Sequence, residues 1–236
     1  MKTLLRTLVL GGFLSALVGA VPAAAFEGRI TLAMTSGKDS HTITYAIGKE
    51  AVRMEMGAEG RTMATIVSPA KREMIMLMPE EKMYMVMAFN ETADAVKDED
   101  LKQANLERTG RTETILGYAC EEFISKDRSS TTEIWVTKEL GTFIGASGGE
   151  GGGGGGIMGM GRRNRSAGGK WEAAFKGKPA FPLRVVSRDA KGKEVSRMEA
   201  TKIEPGSLPA SLFQAPAGWE RFQMPNLGDL NPFKKG

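Results

Sequence analysis

Apolar and polar residues alternate at period 2 along most of the chain, which predicts β-strands with one face toward a core. In residues 26–34, Ile30, Leu32 and Met34 alternate with Arg29, Thr31 and Ala33. Ile43, Tyr45 and Ile47 share one face of residues 41–47, and Val52, Met54 and Met56 one face of 51–56. A further strand is expected over 61–67. Turn signals fall between these runs: Ser36-Gly37-Lys38-Asp39, Gly48-Lys49, Gly57-Ala58-Glu59-Gly60 and Ser68-Pro69. The alternation is sharpest in KREMIMLMPEEKMYMVM, residues 71–87, which reads as one hairpin with methionine at every second position of both strands. Pro79 is expected at the second position of a type I turn within a four-residue loop. That register opposes Met74 to Met87, Met76 to Met85 and Met78 to Met83, and on the other face Ile75 to Val86 and Leu77 to Tyr84. Both faces are then apolar and both need a cover. Such a hairpin is expected in the middle of a sheet, with helices on one side and something else, a ligand for instance, on the other.

The period-2 pattern stops at residues 90–108. Acids gather early in this segment and bases late, an order that suits a helix dipole, so one or two short amphipathic helices over the sheet are expected. Strands resume over 111–125, with a bulge or bend at Gly117, and over 131–138. Residues 145–169 hold thirteen glycines, six of them consecutive from Gly151 to Gly156, followed by Arg162, Arg163 and Arg165. Without side chains to bury, this tract is read as a disordered loop. No Gly-Lys-Ser/Thr follows the glycines, which excludes a phosphate-binding loop. A helical turn is expected at Trp171 to Phe175, an antiparallel pair at 181–189 and 194–203, a second helical turn at 207–213, and a flexible tail at 221–236 that frays from Pro225.

The N-terminus changes what counts as the folded protein. Lys2 and Arg6 precede an apolar run at 8–21, and Pro22-Ala23-Ala24-Ala25 offers a small-residue cleavage site, the pattern of a secretory signal peptide ending near Ala25. The apolar run is shorter than the ~20 residues that span a bilayer. An exported, periplasmic protein with no transmembrane segment after cleavage is therefore expected, with one domain over 26–220. Removing residues 1–25 takes two bases and no acid from the 32 basic and 28 acidic residues, leaving a net charge of +2. That near-balance gives no basis for nucleic-acid binding. Cys120 is the only cysteine, so an internal disulfide is excluded and a small buried hydrophobe on a strand is the expected role.

The same inventory limits the chemistry. His41 is the only histidine, and it shares strand parity with Ile43 and Tyr45. Without a second histidine or a paired cysteine there is no conventional zinc site and no Ser-His or Cys-His pair. Acidic residues are scattered along the expected strand rims, and the sequence places no pair of them at glycosidase spacing. A non-enzymatic role without a cofactor is expected. The methionines remain. A flexible wall of thioethers suits acyl chains or other apolar ligands, and the expected lining is Met54, Met74, Met76, Met78, Met83, Met85 and Met87. Thioether sulfur is also a soft ligand, so Met76, Met78, Met83 and Met85 are an alternative Cu(I) or Ag(I) site. A third alternative is an interaction module in which an apolar face docks another envelope protein.

Several stretches taken in order carry a family resemblance: Phe26-Glu27-Gly28, Val52-Arg53-Met54-Glu55-Met56, Lys82-Met83-Tyr84-Met85, Thr114-Ile115-Leu116-Gly117-Tyr118-Ala119-Cys120-Glu121, Glu133-Ile134-Trp135-Val136-Thr137, and the run from Leu208 to Trp219. Together they resemble a family of exported bacterial proteins defined by a domain of unknown function, number 4412. That family in turn resembles the periplasmic lipoprotein carriers, the LolA-like fold. The resemblance implies a mainly β protein of the α+β kind, a curved antiparallel sheet or half-barrel with a few covering helices around an apolar cavity. It carries over no functional residues. The glycine tract and the methionine content exceed what the family pattern needs.

Overall fold

A computed structural model of the chain describes residues 25–58, 61–88, 105–144, 170–175 and 178–223. The expected signal peptide, nearly all of the expected helices at 90–108, the glycine-rich tract with Arg162, Arg163 and Arg165, and the end of the tail lie outside the described residues.

The described chain is mainly β. Six strands follow one another by short turns: β1 (Gly28–Ser36), β2 (Asp39–Ile47), β3 (Val52–Ala58), β4 (Arg61–Ser68), β5 (Glu73–Met78) and β6 (Met83–Ala88). A second run comprises β7 (Leu106–Ile115), β8 (Tyr118–Lys126), β9 (Ser130–Thr137), β10 (Phe181–Asp189) and β11 (Glu194–Pro205). A helix α1 (Lys170–Phe175) precedes β10, a 3₁₀ turn spans Ala210–Phe213, and a short strand β12 (Glu220–Phe222) closes the described chain. All twelve strands form one open curved sheet in the order β12-β6-β5-β4-β3-β2-β1-β11-β10-β9-β8-β7. The two meanders join where β1 pairs with β11, so the first strand and one of the last lie at the centre of the sheet. Every pairing is antiparallel except that of β12 with β6.

The sheet has one continuous apolar face. Ile30, Leu32, Ile43 and Tyr45 project from its centre and are buried, as are Ile134, Phe181 and Leu183 from the second meander. Helix α1 and Phe143, in the segment that follows β9, cover this inner face with rings. Phe143 stacks on Trp171 at 6.1 Å and meets Phe181 edge-on at 5.5 Å, and Phe175 meets Phe123 edge-on at 5.1 Å. Such stacked and T-shaped contacts each add ~0.5–1.5 kcal/mol beyond burial of their area. The Tyr45 hydroxyl donates to the Ile144 carbonyl at 3.2 Å, tying the centre of the sheet to that covering segment.

The outer face of the second meander is polar. Arg184 lies between Glu113 and Glu199, Arg197 between Glu199 and Glu194, and Arg188 between Glu194 and Glu133. Glu122 is fully buried, and Arg111 and Thr109 hold its carboxylate, the Thr109 hydroxyl at 2.6 Å. The Arg111 guanidinium also lies over the Trp135 ring at 5.9 Å.

Five expectations are corrected. Residues 106–108, expected in a helix, begin β7, where Arg108 pairs with Phe123 and stacks over its ring at 5.5 Å. Gly117 is no bulge. Leu116 and Gly117 both have positive φ, 49° and 89°, and form the two-residue turn that separates β7 from β8. In the methionine hairpin the Lys82 amide donates to the Pro79 carbonyl at 3.3 Å, so Pro79 is the first residue of that turn rather than its second. The hairpin itself lies next to one end of the sheet, with only the three-residue β12 beyond it. Residues 221 and 222, expected in the flexible tail, belong to that strand.

Candidate functional site

The two-faced hairpin is reconciled with its position by the C-terminal segment. On the outer face, Leu77 of β5 and Ala64 and Ile66 of β4 are buried in a cluster with Ala51, against which Ile75, Tyr84, Phe213 and Trp219 pack. Gly48 allows this: a Cβ there would sit 2.7 Å from the Phe213 ring. Arg53 anchors the segment by donating to the Leu212 carbonyl at 3.2 Å. Beyond Trp219 the chain turns along the edge of β6, pairing Glu220 with Met83 and Phe222 with Met85. The cover expected from helices on this face thus comes from the described C-terminal segment.

The inner face carries the methionines. The hairpin register is the one expected, with Met74 opposite Met87, Met76 opposite Met85 and Met78 opposite Met83. Following the pairings inward gives three rows. One runs Met87, Met74, Val67, Val52, Ile47. The next runs Met85, Met76, Thr65, Met54, Tyr45, Ile30. In the third, Met63, Met56, Ile43 and Leu32 continue the line of the Met83–Met78 pair. Because side chains alternate across a strand, each row occupies one face, and it is the face that holds the main core. All seven sequence-predicted methionines therefore share one surface, with Met54 separated from Met76 by the buried Thr65. Met56 and Met63 complete that surface. Their signal was the alternation of Met54 with Met56, and of Met63 with Thr65 and Val67.

The outer end of each row is more open than its centre. Met54 and Met56 are 4% and 6% exposed, and Met74 is buried with Val67 against Met87 and Ile144. Met76, Met78, Met83, Met85 and Met87 are half-buried, and Met63 is 38% exposed. On this face Thr65, Val67 and Met74 stay buried, and Met63 on β4, Met76 and Met78 on β5 and Met83, Met85 and Met87 on β6 form its open part.

The remaining chemistry-bearing groups lie elsewhere. His41 pairs with Met34 on β1, on the inner face as its parity predicts. Cys120 is buried on β8, and its thiol is pushed up to about 11, chiefly by that burial. Burial also raises the Tyr45 phenol well above its usual value, with the Glu172 charge adding to the effect. Among the described residues no three His, Cys, Asp or Glu side chains come together as a metal-binding group. None of the described helices is long and apolar enough to cross a membrane. A cavity of about 450 Å³ lies between the β8–β9 and β10–β11 turns, lined by Asp127, Arg128, Ser130, Arg188 and Asp189 among others, and includes none of the methionines.

A single open, curved and almost wholly antiparallel sheet, packed on one face and trailing into a half-covered apolar surface, places the protein among the half-barrel folds. The chain belongs to the family of the domain of unknown function DUF4412, whose model matches residues 26–219. No curated protein matches it. Among solved structures it is similar to an uncharacterized conserved protein from Thermus thermophilus, at 10% identity and a TM-score of 0.47, covering 84% of this chain and 90% of that one. It is also similar to the MucA/MucB complex structure of Pseudomonas aeruginosa, at 11% identity and a TM-score of 0.46, with 84% of this chain spanning 58% of that one. A protein from Vibrio parahaemolyticus described as an outer membrane lipoprotein-sorting protein domain matches at 8% identity and a TM-score of 0.22, over 79% of this chain and 88% of that one.

Proposed function

We propose that the chain is a non-enzymatic, exported periplasmic protein that binds a lipid or other apolar ligand against the methionine-bearing inner face. The observation that supports this reading is the half-buried methionine cluster at the outer ends of the three rows, continuous with the buried core. One apolar surface runs from a closed core out to thioethers that are still half-accessible. Met54 and Met74 form its buried back wall, and Met76, Met78, Met83, Met85 and Met87 supply flexible, polarisable contacts without demanding a polar partner. Each acyl CH₂ buried there contributes ~0.8 kcal/mol, enough for a long chain to bind without specific hydrogen bonds. The leader pattern at residues 1–25 supports export. Organic extraction of the natively purified protein followed by lipid mass spectrometry tests the reading. Recovery of a stoichiometric lipid is expected, whereas protein free of lipid that also fails to bind an added fluorescent fatty acid contradicts it.

The register favours one second reading. Met76 opposite Met85 and Met78 opposite Met83 set four thioethers on adjacent pairs, a soft donor set for Cu(I) or Ag(I). Competition with a Cu(I) chelator separates the two. A surface that only takes apolar ligands leaves the chelator loaded, while a metal site withdraws copper and loses that ability in the Met76→Leu/Met85→Leu variant.

A further inference from the structure

The methionine rows carry chemistry that needs neither a lipid nor a metal. A thioether is the side chain here that a two-electron oxidant converts without needing a depressed pKa, and its susceptibility follows accessibility. The sheet sorts these sulfurs by depth within single rows. Met63 is exposed and Met76, Met78, Met83, Met85 and Met87 are half-buried, while Met54, Met56 and Met74 on the same face are buried. Cys120, the usual competitor for oxidants, is buried, and its thiol is held protonated.

We propose that the inner face of β4–β6 is a methionine-sulfoxide modification site for peroxide-class oxidants, with Met63, Met76, Met78, Met83, Met85 and Met87 as the reacting group. The sulfur attacks one peroxide oxygen with its lone pair. The S–O bond forms as the O–O bond breaks, and the sulfur is oxidised by two electrons. The second oxygen takes up the proton of the transferred one and leaves as water. Each event replaces a flexible apolar thioether by a polar sulfoxide. Because Met76 and Met85, and Met78 and Met83, stand directly opposite one another, successive events change one contiguous patch from apolar to polar. No ligand need occupy that patch for the reaction to proceed.

Peptide mass spectrometry of the full chain after timed exposure to hydrogen peroxide tests it. In folded protein, sulfoxide is expected at Met63 and the five hairpin methionines several-fold ahead of Met54 and Met56, and in urea all of them react at similar rates. Met63→Leu, which removes the most exposed sulfur, leaves the hairpin rates unchanged. Hairpin methionines that react no faster than Met54 and Met56 in folded protein overturn the proposal, as does loss of hairpin reactivity in Met63→Leu. Oxidation rates are read whether or not any lipid binds, so failure of the lipid reading and failure of this one are separate results.

Discussion

The two faces of the methionine hairpin make opposite predictions for neighbouring residues, and Leu77→Ala against Met76→Leu measures the difference. Leu77 is 1% exposed and fills the outer cluster between Ala64, Ile66 and the Phe213–Trp219 segment. Truncation to Ala removes three carbons at ~0.8 kcal/mol each, about 2.4 kcal/mol, before any void is counted. With the void that the rigid strands of β4 and β5 leave behind, the loss rises to about 3–4 kcal/mol. Met76, one residue earlier, faces the other way and is half-buried, so its near-isosteric exchange for Leu costs less than about 1.5 kcal/mol. With a urea slope of roughly 2 kcal/mol per molar, the midpoint falls by about 1.5–2 M for Leu77→Ala and by less than about 0.75 M for Met76→Leu. Trp219, packed on the Leu77 cluster, offers a fluorescence probe of the same transition. Equal midpoint shifts for the two variants, at unchanged slope, would refute the assignment of Leu77 to a closed face and Met76 to an open one.

Further outcomes follow from single sites. Arg111→Ala leaves the Glu122 carboxylate buried with Thr109, and the loss is about 3 kcal/mol, at the low end for a broken buried pair because the Arg111 side chain is 63% exposed. Adding Glu122→Gln recovers part of it in thermal unfolding, and a double variant no more stable than the single contradicts the role of the buried charge. Gly117→Ala forces a side chain into φ 89° in the β7–β8 turn and costs about 1–2 kcal/mol, readable by denaturant titration, whereas no loss refutes the turn assignment. Cys120 resists iodoacetamide in the folded protein at mildly alkaline pH and reacts on unfolding. Its folded thiol titrates at about 11 against an ordinary 9.0, so this contribution to stability is whole below 9.0 and is lost as pH rises toward 11. Rapid labelling of the folded chain, or stability that rises over that interval, contradicts the burial.

Much of the sheet was legible because period-2 alternation and turn residues act locally. The pairing of Met74 with Met87 through Met78 with Met83 follows from counting residues across Pro79–Lys82, even though the turn's own hydrogen bond begins one residue later than expected. Gly117 was readable as a break, but only its positive φ beside that of Leu116 distinguishes a hairpin turn from a bulge. Order across the sheet was not legible, because it depends on contacts between segments far apart in sequence. Two apolar faces argued for a central hairpin, yet Phe213 and Trp219, from near the other end of the chain, cover the outer face and allow it to lie near the sheet's end. The candidate site was partly readable for the same reason. Parity placed the hairpin methionines on one surface. The alignment of Met54 with Met76 through Thr65, and the addition of Met63, needed the β3–β4–β5 registers.

Ligand binding at the open end of the methionine rows is tested most directly by a methyl-resolved NMR titration of methionine-labelled protein with a soluble apolar ligand such as a medium-chain fatty acid. Saturable shifts are expected at the methyls of Met76, Met78, Met83, Met85 and Met87, with Met54 and Met56 little changed. Saturable binding that leaves those five methyls unmoved, or no binding at all, contradicts it.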